Sequence, residues 1–234
     1  MSRLSLRTPI LLLATITVAA ALAAGAPMPA RAQAPVCGAV CVDTRFVEAG
    51  GVRYAYRVVG AGDGPPLIML NRFRGTMDEW DPAFVDALAA NRAVILFDNA
   101  GVARSSGTAS PRLAGWADNA ATFIEALGYE HVDLFGFSFG GLVAQELTRR
   151  RPELVRRLII AGSGAGYVEG HNVRAEAIAV ATKPVNVDAD FLYLFFRDTP
   201  TSQEAGRAHL ARLRQRPDAF AARVSADAWR AMLS

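Results

Sequence analysis

Histidine and cysteine are scarce in this chain, with three of the first and two of the second among 234 residues. So few cysteines exclude a disulfide-dense miniature scaffold. A chain of this length, 52% apolar and 20% charged, is large enough to bury a core of its own. Cys37 and Cys41 stand four positions apart with no histidine near them, so they lack the further ligands a zinc site needs. In an oxidising compartment they would close a small disulfide, the alternative being two unpaired thiols on an arm. A surplus of charge of one sign is also missing. The formal charge of +3 comes from 25 basic and 22 acidic residues, and Arg3, Arg7 and Arg31 fall in the first 32 residues, which hold no acidic group. The rest of the chain therefore balances at 22 against 22, and nothing points to nucleic acid or an anionic membrane as partner. Lys183 is the sole lysine, which reads as the codon bias of a GC-rich bacterial genome rather than a use for arginine. Internal repeats and low-complexity tracts are absent.

Only one long apolar run occurs. Residues 8–24 are uncharged and mostly apolar, follow Arg3 and Arg7, and lead through Pro27 and Pro29 to Ala30-Arg31-Ala32. This is the layout of a secretory signal with an A-x-A cleavage site, which predicts Gln33 as the first mature residue, a periplasmic or secreted protein, and no membrane association after cleavage. An uncleaved anchor is the alternative. Residues 33–43, with the two cysteines, then form an N-terminal arm.

From residue 44 the pattern is that of alternating strands and helices. Residues 52–59 alternate as a half-buried strand does, and residues 44–47 before Gly50-Gly51 suit its hairpin partner. Residues 67–70, 93–97, 132–135 and 158–161 are short apolar runs expected to be buried strands, while residues 78–90, 113–127 and 142–151 are expected helices. This order predicts an α/β fold, a mostly parallel sheet with helices on both faces, over residues 44–164. Ligands of such sheets bind at the carboxyl ends of strands, where residues 71–75, 98–106 and Ser138 fall. Residues 165–234 change to helices alone, including 204–213 and 219–233, and read as a helical cap. Its aromatic run 191–196 is read first as packing and second as a wall for an apolar substrate.

Between the third of these apolar runs and its helix stands Gly136-Phe137-Ser138-Phe139-Gly140-Gly141, a G-x-S-x-G pattern at a strand-to-helix junction. Small residues flank the serine because the backbone there is forced through a tight turn. The turn lifts the hydroxyl clear of the sheet and places it at a helix N-terminus, where free N–H groups favour developing negative charge. That chemistry suits acyl transfer.

Together, the segments 51–75, 97–107 and 136–141 resemble the α/β-hydrolase superfamily, in particular its cofactor-free esterase, lactonase and haloperoxidase-like branch with a helical cap after the sixth strand. The resemblance runs from about residue 44 to the chain end, and implies a hydrolase that uses no metal or organic cofactor and takes a small-molecule substrate. It implies Ser138 as nucleophile and the backbone N–H groups of Phe73 and Phe139 as the oxyanion hole, each such donor being worth about 3–4 kcal/mol in the transition state. Two segments depart from the family pattern. The usual His-Gly opening of the oxyanion loop is Asn71-Arg72 here, with Arg72 and Arg74 read as solvated surface cations or, as the alternative, as attractors of a substrate carboxylate. The family's D-x-R-G-x-G-x-S loop reads Asp98-Asn99-Ala100-Gly101-Val102-Ala103-Arg104-Ser105.

A serine hydroxyl needs a base, in this superfamily a histidine that follows an Asp or Glu after the nucleophile. His131 begins the strand whose far end carries Ser138, about 16 Å away, and is excluded. His171 and His209 are not in the family's position, and Glu169, Asp188 and Asp190 are followed by no strand, loop and histidine. The reading is therefore a hydrolase truncated at its C-terminus, its last strands missing, with acid and base unassigned and little turnover of its own. Such a chain would leave residues 158–161 at a sheet edge with uncovered apolar surface. The expected function is acyl transfer on a small ester, lactone or similar carbonyl substrate; a non-catalytic ligand-binding protein of the same fold is the alternative.

Overall fold

The computed structural model describes residues 38–164 and 174–234. The leader at 1–32, Cys37, Glu169 and His171 lie outside the described residues. Cys41 is disulfide-bonded.

Two strands open the sheet as an antiparallel hairpin, β1 (Arg45–Ala49) and β2 (Val52–Val59). Gly50 and Gly51 join them at φ of 57° and 76°, the left-handed pair that a two-residue hairpin turn requires. The other strands are β3 (Leu67–Leu70), β4 (Val94–Phe97), β5 (Val132–Phe137) and β6 (Val155–Ala161). The order across the sheet is β1-β2-β4-β3-β5-β6, with β2 antiparallel to β4 and the last four strands parallel. The mostly parallel sheet expected from the sequence is thus present.

Because β3 and β4 are buried along their whole length, successive side chains feed two cores. Ile68, Leu70, Ile95 and Phe97 face helices α2 (Leu113–Ala126) and α3 (Phe139–Arg150), packing with Phe123, Ile124, Ala144 and Leu147. Leu67, Met69, Val94 and Leu96 face the other way, onto Met77, Trp80 and Val85 of the segment that carries α1 (Pro82–Leu88). The chain leaves β3 to one side for β4 and returns on the other side for β5. That reversal opens a crevice at the carboxyl end of β3, where sheets of this class bind ligands.

Several boundaries moved for identifiable reasons. The single helix expected over 78–90 is a 3-10 turn, Met77–Glu79, followed by α1, because Asp81 caps the Ala83 amide (3.0 Å) and Pro82 takes the first helical position. Strand β6 starts three residues early and is a sheet edge among the described residues, with Ile159 and Ile160 44% and 41% exposed, as the edge reading of 158–161 anticipates.

After β6 the described chain is helical: α4 (Ala175–Ala181), α5 (Asp188–Phe195), α6 (Pro200–Leu213) and α7 (Ala226–Ala231). The helix expected over 219–233 shrinks to α7. Phe220 sits at φ 62°, outside any right-handed helix, and its amide is drawn to Asp78 Oδ2 (3.0 Å). Asp78 is fully buried and also accepts from Arg57 (2.7 Å) on β2 and from Arg104 (2.5 Å). Arg104 in turn donates to the Asp218 carbonyl (2.6 Å), so one carboxylate ties β2, the 98–106 loop and the 218–220 segment together. Helix α6 is fastened to the α1 cap by Arg212 and His209, both on Asp81. Burial alone would raise the Asp81 carboxyl, but bonds from Arg212, His209 and the Ala83 amide hold it at about 2.

Candidate active site

The turn after β5 has the strained geometry that its composition implies. Ser138 stands at φ 53°, ψ −119°, a conformation that costs a non-glycine residue about 1–3 kcal/mol and persists only where its surroundings over-determine it. The surroundings here are three glycines with no room for a side chain. A Cβ on Gly136 would stand 2.6 Å from the Gly140 carbonyl oxygen and from the Gly141 Cα, and one on Gly141 would meet Ser163. At Gly140 a Cβ would overlap the Leu70 carbonyl. Gly140 therefore lets the start of α3 lie against the end of β3. Two bonds pin the serine itself, its N–H on the Ala161 carbonyl (3.0 Å) and its carbonyl accepting from the Gly141 amide (2.8 Å).

The Ser138 hydroxyl has no hydrogen-bond partner among the described residues. The Phe139 amide, in the first turn of α3, is likewise unpartnered among them, as helix-opening N–H groups are unless something caps them. Opposite, the loop after β3 is folded by its own first residue. Asn71 accepts from the Arg72 amide through Oδ1 (2.7 Å) and donates through Nδ2 to the Thr76 carbonyl (2.6 Å). The Gly75 amide closes a turn on the Arg72 carbonyl (2.9 Å), with Arg74 at φ 59°. The Phe73 amide is left without a partner among the described residues. Asparagine in this role follows from its ability to bond neighbouring backbone groups, so the change from His-Gly to Asn71-Arg72 leaves an ordered loop.

Neither arginine of this loop is a solvated surface cation, which corrects the first reading of them. The Arg72 side chain is 12% exposed, pairs with Glu79 (2.6 Å) and lies over the rings of Phe191 and Phe195 of α5. Arg74 reaches the carbonyls of Ala181, Lys183 and Pro184 at 3.0, 2.6 and 3.3 Å. Burial lowers its pKa, and neighbouring Arg72 adds to the effect. Sequence reasoning missed a further contact, for which no local signal exists. Trp229 of α7 sets its ring edge-on to Phe73 (6.2 Å), and Met232 Sδ accepts from the Arg74 amide (3.3 Å). Met232, Asn71, Trp116 and Phe139 line a small cavity of about 30 Å³ beside the elbow.

The 98–106 loop holds Asp98, buried, accepting from the amides of Met77 (2.8 Å) and Arg104 (3.2 Å). Burial pushes its carboxyl up to about 6 against the pull of those two bonds. Ser105 and Ser106 are spent on structure, accepting from the amides of Ala55 and Arg53 (2.8 Å each). No imidazole among the described residues touches Ser138. His131 Nδ1 is 2.7 Å from the Glu153 carbonyl, and His209 is held by Asp81 and stacked on Phe191. Asp188 pairs with Arg214 and Asp190 with Lys183 (2.6 Å). Among the described residues no cluster of three or more His, Cys, Asp or Glu side chains could hold a metal ion.

Comparison with known proteins agrees with this geometry. A family model for the α/β hydrolase fold matches residues 65–231. A putative carbamate hydrolase RutD of Azorhizobium caulinodans is 33% identical over 155 residues, 64% of this chain and 57% of that protein. A 2-hydroxymuconate semialdehyde hydrolase of Pseudomonas sp. (strain CF600) is 36% identical over 123 residues, 51% of this chain and 43% of that protein. Among solved structures, an alpha/beta hydrolase fold protein from Chitinophaga pinensis superposes with a TM-score of 0.77 at 36% identity, covering 83% of this chain and 70% of that one. The chain thus spans about half the length of the curated relatives it matches. With a strained Ser138 between a parallel strand and its helix, and a family match over most of its length, the chain belongs to the α/β-hydrolase superfamily.

Proposed function

We propose that this protein is a serine hydrolase that transfers the acyl group of a small ester, lactone or similar carbonyl compound through Ser138. The observation that carries the reading is the strained serine, whose hydroxyl and the Phe139 amide next to it have no hydrogen-bond partner among the described residues. In the proposed reaction Oγ attacks the carbonyl carbon, and the Phe73 and Phe139 N–H groups take the charge that develops on the carbonyl oxygen. The tetrahedral species collapses by breaking its C–O bond to the leaving group, which takes up a proton in place of the one lost from Oγ and departs as the alcohol, and water then adds to the acyl carbonyl to release the acid and restore the Oγ–H. The Oγ proton has no acceptor assigned among the described residues. Loss of the base alone costs on the order of 10⁶ in kcat in serine hydrolases, so the rate of turnover reports whether a base outside the described residues is at hand.

The engaged state of His131 and His209 favours one second reading, a ligand-binding protein on the same fold. Hydrolysis of p-nitrophenyl acetate by the wild type and by Ser138→Ala separates the two. Turnover above the uncatalysed rate that disappears in the variant supports the hydrolase, whereas equal rates for both favour the binding protein. Export belongs to the same proposal and rests on the layout of residues 1–32. An exported product still carrying Met1 would contradict cleavage.

A further inference from the structure

A second cavity, of about 430 Å³, lies between the loop after β3 and helices α5 and α6. That volume is in the usual range for a small-molecule site. Its walls are about half apolar, with Val187, Phe191, Phe195 and Phe220 on that side. Six charged side chains line it: Arg72, Arg74, Arg214, Arg223, Glu79 and Asp188. Four of the six cancel in pairs, Arg72 with Glu79 and Arg214 with Asp188. Two cations, Arg74 and Arg223, remain in no ion pair among the described residues.

They differ in a way that suits recognition. Arg74 is fixed, since three of its N–H groups are held by the Ala181, Lys183 and Pro184 carbonyls, and a guanidinium has five. Two donors are left on a side chain that cannot swing away, so little ordering cost is added when they meet an acceptor. Arg223 is exposed and makes no hydrogen bond or ion pair among the described residues, so its guanidinium is available to whatever is bound. Arg74 is balanced only in part, by three carbonyls, by the Trp229 ring 5.0 Å from its guanidinium and by the field of Glu79, so an anion in the cavity would meet a cation that has no ion pair of its own.

We propose that this cavity binds an organic carboxylate with an apolar body, its carboxylate meeting Arg74 and Arg223 and its hydrocarbon lying against the rings of α5. The proposal does not rest on Ser138 being a nucleophile, although Arg74 directly follows Phe73 and would bring the bound anion next to the proposed oxyanion loop. A neutral amide of the same shape would keep the apolar contacts and lose the charge-assisted bonds, which are about twice as strong as neutral ones.

The test is calorimetric titration of the whole chain with 4-phenylbutyrate and, separately, with 4-phenylbutyramide. Saturable one-to-one binding of the acid is expected, at least tenfold tighter than that of the amide. Arg223→Gln should weaken the acid fivefold or more and leave the amide unchanged, and because that side chain is exposed and makes no hydrogen bond or ion pair among the described residues the variant should fold. Arg74→Gln should do the same, with thermal unfolding used to confirm that it is folded. Equal affinity for acid and amide, absence of saturable binding of the acid, or indifference of acid binding to Arg223→Gln would each overturn the proposal. None of these results depends on turnover, so a failure here is distinct from a failure of the hydrolase reading.

Discussion

At the scale of single residues the elbow is a problem of space. The Gly140 backbone lies so close to Leu70 that one added methyl must displace main chain, and over-packing of this kind costs about 1–3 kcal/mol. Gly64, in the turn before β3, has nothing within 4 Å of where a Cβ would stand, and its φ is not in the left-handed region. Gly140→Ala is therefore expected to lower the unfolding free energy by that amount in urea. Gly64→Ala should be neutral or stabilise by up to about 1 kcal/mol, because it only narrows the unfolded ensemble. Asp98 supplies a second residue-scale expectation. Its carboxyl is raised from the ordinary 3.8 to about 6, so the folded state holds a proton that the unfolded state has released between those values. Stability is then present below pH 4 and falls as pH rises to about 6, by at most about 3 kcal/mol. Urea unfolding at pH 4.5 and 7 should show this fall in the wild type and a smaller one in Asp98→Asn. The serine turn was legible because its glycines are dictated by local crowding. The roles of Asn71 and Arg72 were not, since they depend on Thr76, Glu79 and α5, which only the fold brings near.

At the scale of elements, the strands were readable wherever burial is complete. β3 matches its expected span because four consecutive apolar residues admit few readings, and β1 with β2 followed from alternation and a Gly-Gly turn. The cap was less legible. Helix α4 escaped notice because none of its residues is buried, so no apolar stripe marks it. The span 219–233 looked amphipathic, yet its first half is pulled out of helix by the hydrogen bond from Phe220 to Asp78. That carboxylate is the joint between the hydrolase core and the segment leading to α7. Asp78→Ala would leave Arg57, whose side chain is 2% exposed, without its main counter-charge. Removing one partner of a buried pair costs about 3–5 kcal/mol. A loss of that size in urea unfolding, together with faster proteolysis within 214–224, is expected; a change below 1 kcal/mol would show that the joint carries little.

At the scale of the whole molecule, the arrangement of the sheet explains why the site lies where it does. The reversal of strand order around β3 brings the ends of β3, β4 and β5 together, and with them Phe73, the 98–106 loop and Ser138. The family and the strained turn at Ser138 were visible in one hexapeptide with its flanking pattern. The proton acceptor was not, and among the described residues it is still unassigned. The most direct test of the account is treatment of the wild type and Ser138→Ala with a fluorophosphonate in large excess, followed by mass spectrometry of the tryptic peptides. The account predicts a slow, single phosphonyl adduct on Ser138 of the wild type and none on the variant. An adduct spread over Ser105, Ser106 and other serines at comparable rates, or no adduct on Ser138 after prolonged exposure, would contradict it.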